Sequence, residues 1–215
     1  MTSEESLDAG KFSPWLTSIL GALDGGHGSD VPCGTCTACC TSSQFVHIEP
    51  DEQETLAHIP DEVLFPAPKL PHGHLVMGYD ENGHCPMLIG GRCSIYAYRP
   101  RTFRVYDCRV FAASGLGIGD SGKHLIASRV SRWKFQFPSE ADRVDYESVR
   151  AAAGYLRDHA AEIGDGTAAM SPAQHSLLAV QLHELFIDRT GDAGESSVTT
   201  PDINAVRVEL GRRAG

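Results

Sequence analysis

The 215-residue chain carries a formal net charge of −10, with 18 Lys and Arg against 28 Asp and Glu, and holds seven cysteines. Its length suits one ordinary domain or two small ones; the acidic balance speaks against nucleic acid as a partner, and the odd thiol count excludes a fully disulfide-paired monomer. No run reaches the roughly 18 apolar residues of a membrane helix and the opening MTSEESLDAGKF lacks a secretory profile, so a cytoplasmic protein with no membrane partner and reduced thiols is expected.

In chain order, Ser13-Pro14 followed by Trp15, Leu16, Ile19, Leu20 and Leu23 reads as a helix with a hydroxyl N-cap and Pro at its first position. Residues 24–32, rich in Gly, Asp, Ser and Pro, read as a linker. Beyond Cys33 the apolar pattern is short and interrupted. Residues 44–48 suggest a brief strand, 50–58 a short helix closed by Pro60, and 75–79 a strand turning through Asp80-Glu81-Asn82-Gly83 back into 84–89. Gly90-Gly91 marks another tight turn. Residues 124–137 alternate as a strand, with Leu125, Trp133, Phe135 and Phe137 in phase and Val130 out of phase. Val149, Ala153, Leu156, Ala160 and Ile163 give 142–163 a helical face. Residues 172–188 form a second helix capped by Ser171, with Leu178, Leu182, Leu185 and Phe186 on one stripe, and 202–210 a last short one.

The chemistry is concentrated in Cys33-Gly-Thr-Cys36-Thr-Ala-Cys39-Cys40, followed by Cys85, Cys93 and Cys108. Two residues between cysteines let a tight turn aim both sulfurs at one ion while backbone amides donate to the thiolates. Buried small apolar residues would show periodicity, which this run lacks, and a disulfide framework does not suit a reducing compartment. Metal binding is the expectation, either zinc or an iron–sulfur cluster, with His47 and His84 near enough in sequence to complete a site. The ferredoxin run is not reproduced, because Cys40 follows Cys39 at once and Cys85-Pro86 is remote. The radical-S-adenosylmethionine spacing fails as well, since position 43 is Ser. His183-Glu184 has no second His four residues away, and His72 and His74 lie in a Pro/Gly loop. Neither a phosphate loop nor a nucleophile elbow is present.

Cys33 to Cys40, Cys85-Pro-Met-Leu, Gly91-Arg-Cys93-Ser-Ile-Tyr96 with Arg99-Pro100, and Arg104-Val-Tyr106-Asp-Cys108-Arg109 together resemble the CxxCxxCC cysteine-cluster, or YkgJ-like, family over about residues 33–110. The resemblance implies a zinc- or iron-chelating domain, and the family includes an iron–sulfur flagellin lysine methylase branch. One position departs: where the family pattern has a cysteine between the Arg-Pro pair and a following Arg, this chain has Phe103. Seven thiols still suffice for a four-thiolate site. Such a site carries about −2 net charge, which burial leaves in need of compensation. Arg92, Arg99, Arg104 and Arg109 fall among the cysteines and are expected to neutralise the thiolates or to bind an anion.

The expected fold class is α+β, a small loop-rich cysteine-cluster core with short strands flanked by an N-terminal helix and C-terminal helices. The expected organisation is a helical arm and linker over 1–32, a metal-binding domain over 33–137 and a helical region over 138–215 packed on the same core. The expected ligands are Cys33, Cys36, Cys39, Cys40, Cys85, Cys93 and Cys108, holding an iron–sulfur cluster, with four irons as one form, or zinc. An iron–sulfur protein-modifying enzyme of the lysine methylase kind and a reversible metal chaperone or redox sensor are the alternatives; no catalytic residue or protein partner is assigned.

Overall fold

The computed structural model describes residues 5–26, 28–29, 31–119, 123–164, 166–190 and 195–214. Its elements are β1 (Leu7–Lys11), α1 (Phe12–Leu23), β2 (Val46–Ile48), α2 (Gln53–Leu56), β3 (Leu64–Pro66), β4 (Leu75–Met77), β5 (Leu88–Ile89) and β6 (Arg92–Cys93). There follow α3 (Arg101–Val105), α4 (Arg109–Ser114), α5 (His124–Arg132), β7 (Trp133–Gln136) and α6 (Glu140–Asp158). The chain continues with α7 (Ala160–Ile163), α8 (Pro172–Leu182), β8 (Ile187–Asp188), β9 (Ser197–Val198) and α9 (Ile203–Ala214). This mixture is the expected α+β class. Among the described residues no helix is long and apolar enough to cross a membrane.

Two compact units form. The first comprises Met1–Leu20, Cys108–Asp120 and Val130–Gly215. In it β1 and β7 pair in parallel, Leu7 opposite Trp133, and Phe12 meets Phe135 and Tyr146 edge-on with centroids 5.0 and 5.2 Å apart. Helix α6 begins two residues earlier than expected because Ser139 caps it: the Ser139 hydroxyl accepts the Asp142 N–H at 3.2 Å, and the Asp142 carboxylate accepts the Ser139 N–H at 3.0 Å. Ser13, expected to cap α1, instead donates its N–H to Asp142 and its hydroxyl to Asp145, at 3.1 and 3.0 Å. The small side chains of Ala152, Ala153 and Ala179 are fully buried with Leu156, Leu182, Phe186 and Val206, allowing α6 and α8 to approach closely.

Several expected elements differ. Residues 124–137 were expected as one strand, yet only Trp133–Gln136 is extended, since β1 offers a pairing partner only from Leu7 opposite Trp133 onward; upstream, the backbone satisfies its own hydrogen bonds as α5. The helix expected over 172–188 keeps its Ser171 cap, with Gln174 completing a capping box, but stops at Leu182. His183–Phe186 tighten into a 3-10 turn, and Ile187–Asp188 pair with β9. The helix expected over 142–163 breaks at His159 before α7.

The second unit, Gly21–Asp107 with Ser121–Arg129, holds six of the seven cysteines. Its sheet has the antiparallel order β2-β4-β3, with Val46 and Leu64 both opposite Met77. Val46, Ile48 and Met77 face a core shared with Ile59, Met87 and Ile95. Residues 84–89 do not return along β4 as expected, because β2 and β3 already occupy both of its edges. Instead β5 and β6 form a hairpin over Gly90-Gly91, Ile89 opposite Arg92. Both glycines have positive φ, 57° and 74°, the backbone that a two-residue hairpin turn requires.

Candidate metal centre

The cysteine loop is built by short-range bonds. Gly34, at φ 56°, turns the chain so that the Cys36 N–H donates to the Cys33 carbonyl at 2.8 Å. Cys39 and Cys40 open a 3-10 turn ending at Thr41, whose hydroxyl donates to the Thr37 carbonyl at 3.0 Å. The Cys85 N–H donates to the Cys40 carbonyl at 2.7 Å, joining the first cluster to the segment that leads into the β5–β6 hairpin and Cys93.

The electrostatics report the same gathering. Burial pushes the Cys40 thiol up to about 12, and repulsion from the Cys85, Cys93, Cys33 and Cys36 sulfurs adds to the shift. The Cys33 thiol is raised by burial and by Cys36, against the pull of Arg129 and Arg99. Cys85 is also raised by burial, partly offset by hydrogen bonds from the Met87 and Leu88 N–H groups. None of the seven cysteines is in a disulfide. Cys108 lies in the first unit at the N-cap of α4, where its sulfur accepts the Trp133 indole N–H at 3.2 Å.

The stretch that leads into Cys33 is pinned. Arg99 donates to the carbonyls of Tyr96 and Ser29 at 3.0 and 3.2 Å and lies over the Tyr96 ring, and the Tyr96 hydroxyl donates to the Val31 carbonyl at 3.0 Å. Ser29 donates its N–H to the Arg104 carbonyl at 2.7 Å and its hydroxyl to buried Asp107 at 2.6 Å. Gly28 is required there, since at φ 79° a Cβ would stand 2.5 Å from the Arg104 Cβ. Arg129 donates to the carbonyls of Pro32 and Cys33 at 3.0 and 3.3 Å.

Of the expected arginines, Arg99 faces Cys33, whereas Arg104 pairs at 3.5 Å with Glu52, whose side chain is 1% exposed. Arg92 is exposed on β6, and Arg109 is buried in the first unit, donating to the Ala9 carbonyl at 3.2 Å. Sequence reasoning missed Arg129, which lies beyond the last cysteine in a stretch read as a strand. It also missed Glu52, whose carboxylate accepts the Arg101 and Glu49 N–H groups at 2.5 and 2.9 Å and so holds the start of α3. No spacing signal marks either residue.

Soft sulfur donors in this number suit zinc or an iron–sulfur group. Among the described residues, however, no group of three or more His, Cys, Asp or Glu side chains stands ready to hold a metal ion. The cysteines are electrostatic neighbours without converging on one point.

Residues 32–123, which include every cysteine, match the family CxxCxxCC, described as "Putative zinc- or iron-chelating domain". Comparison with curated proteins and with solved structures finds no match for the chain. The family match supports a zinc- or iron-chelating cysteine cluster over this segment.

Proposed function

We propose that the second unit holds one thiolate-ligated metal centre, an iron–sulfur cluster ahead of zinc, with its ligands drawn from Cys33, Cys36, Cys39, Cys40, Cys85 and Cys93. The observation that carries this reading is the Cys85 N–H bond to the Cys40 carbonyl at 2.7 Å, which brings the Cys33–Cys40 run beside the remote segment leading to Cys93; the Cys40 thiol is raised by burial and by Cys85, Cys93, Cys33 and Cys36. Without a cation, burial and mutual repulsion keep such thiols protonated; a soft cation supplies the charge that lets them ionise. Arg99 and Arg129 lower the cost of thiolate charge at Cys33, and the Met87 and Leu88 amides do so at Cys85. This provision of cationic and amide partners favours the iron–sulfur form, whose potential such contacts tune. Reduced thiols fit a reducing compartment such as the cytoplasm.

Anaerobic purification followed by metal and sulfide analysis and a visible spectrum tests the proposal. A coloured protein with iron and sulfide in stoichiometric amounts is the expected result. A colourless protein with stoichiometric zinc replaces the iron–sulfur form by zinc, and a protein that takes up neither overturns the metal centre.

A further inference from the structure

The outer face of the β2-β4-β3 sheet is unusual for a surface of an acidic chain. Alternation along the strands buries Val46, Ile48 and Met77 on one side and places Phe45, His47, His74, Val76 and Phe65 on the other. Gly78, which donates its N–H to the Val63 carbonyl at 3.3 Å, brings no side chain of its own, and a Cβ there would stand 3.2 Å from the Phe65 ring. The two phenylalanines therefore meet edge-on across β4, centroids 6.0 Å apart, and Tyr79 joins Phe45 at 4.8 Å. These rings stay open to solvent, Phe45 at 63% and Phe65 and Tyr79 at 39% each. Beside them His47 Nε2 and His74 Nδ1 share a hydrogen bond at 2.9 Å, which spends ring polarity within the pair.

The charges around this face are mostly acidic. Asp61 and Glu62 precede β3, Asp80 and Glu81 follow Tyr79, and all four are exposed. Glu49 and Asp51 lie beyond β2, tied to Arg101 at 2.6 and 2.7 Å; Lys69 is the one Lys or Arg in segments 44–51, 61–69 and 74–81. Backbone pairing is not what the face offers. On the β3 side Pro66 has no N–H to donate, and on the β2 side the His47 carbonyl already accepts the Thr102 hydroxyl at 2.7 Å.

We propose that this aromatic face, rimmed by Asp61, Glu62, Asp80 and Glu81, docks a cationic segment of a partner protein that presents apolar side chains. The rings supply apolar and cation–π contact, and the carboxylates select lysine or arginine around it. Like charge disfavours a second copy of the chain, and the same acidity disfavours nucleic acid, although bare aromatics would stack on bases.

The test uses the full-length, isotope-labelled protein titrated with a short capped peptide that alternates lysine with phenylalanine, and in parallel with its glutamate–phenylalanine counterpart. Expected are amide shift changes confined to Phe45, Phe65, Tyr79 and their strand neighbours with the lysine peptide alone, weakening as salt is added. Phe45→Ser, a substitution at an exposed ring, is expected to lower that affinity about tenfold while leaving the melting temperature and metal content as they are. Equal binding of both peptides, shifts elsewhere, no binding, self-association through this face, or a preference for single-stranded RNA would each overturn the proposal. None of these outcomes bears on the metal centre.

Discussion

Phe103 stands on α3 in the position where the resemblance led one to look for an eighth cysteine. Its ring packs against the core of Val46, Ile48, Met77 and Met87, in the company of Cys85 and Cys93. An apolar side chain there adds contact to a small core, and the six other thiols of the unit exceed what a four-thiolate site needs. Phe103→Cys is therefore expected to leave metal content per chain unchanged and to lower stability by about 1–3 kcal/mol, the cost of removing ring volume from a partly buried site. Metal analysis beside urea unfolding checks both halves. A rise in bound metal would show that the eighth position is a ligand site that this sequence has given up.

At the scale of elements, the ends of α1 and α6 are fastened through one carboxylate. Hydrogen bonds from the Ser139 hydroxyl first, then from Ser13, hold the Asp142 carboxyl at about 2, below its ordinary value of 3.8. A depressed carboxyl contributes stability that is full above its unfolded value and vanishes as the pH falls through the folded one. The melting temperature is expected to drop between about pH 4 and pH 2, and Asp142→Asn to flatten that part of the curve while lowering stability at neutral pH. Thermal unfolding across this pH range, followed by circular dichroism, decides. Superimposable acid limbs for the two proteins would mean that the Ser13–Asp142–Ser139 bonds do not set acid sensitivity.

For the whole molecule, stability is divided between two units of different construction. The first buries Phe12, Leu156, Leu182, Phe186 and Val206 almost completely, so its helices stand on apolar packing. The second has short strands and a smaller buried set around Ile48 and Met77, and a bound metal would add about 2.7 kcal/mol at a hundredfold excess over its dissociation constant. Chelation is expected to increase hydrogen exchange over 33–93 while leaving 140–182 protected. An equal loss in both stretches would contradict a metal role confined to the second unit. Much of this was legible in the sequence alone: the cysteine run with its C-x2-C turns, the Ser171 cap, the Gly90-Gly91 turn and the apolar stripe of α6. Each depends on backbone angles and hydrogen bonds within a few residues, which local residue types dictate. Only the tertiary structure decided that β4 would pair with β2 and β3 instead of with residues 84–89. The same is true of the helical form of 124–132, of the Trp133 bond to Cys108, and of the Arg129 grip on the Cys33 backbone. These outcomes turn on which distant donor or strand edge is free to satisfy a backbone group, a competition between remote segments that no local pattern records.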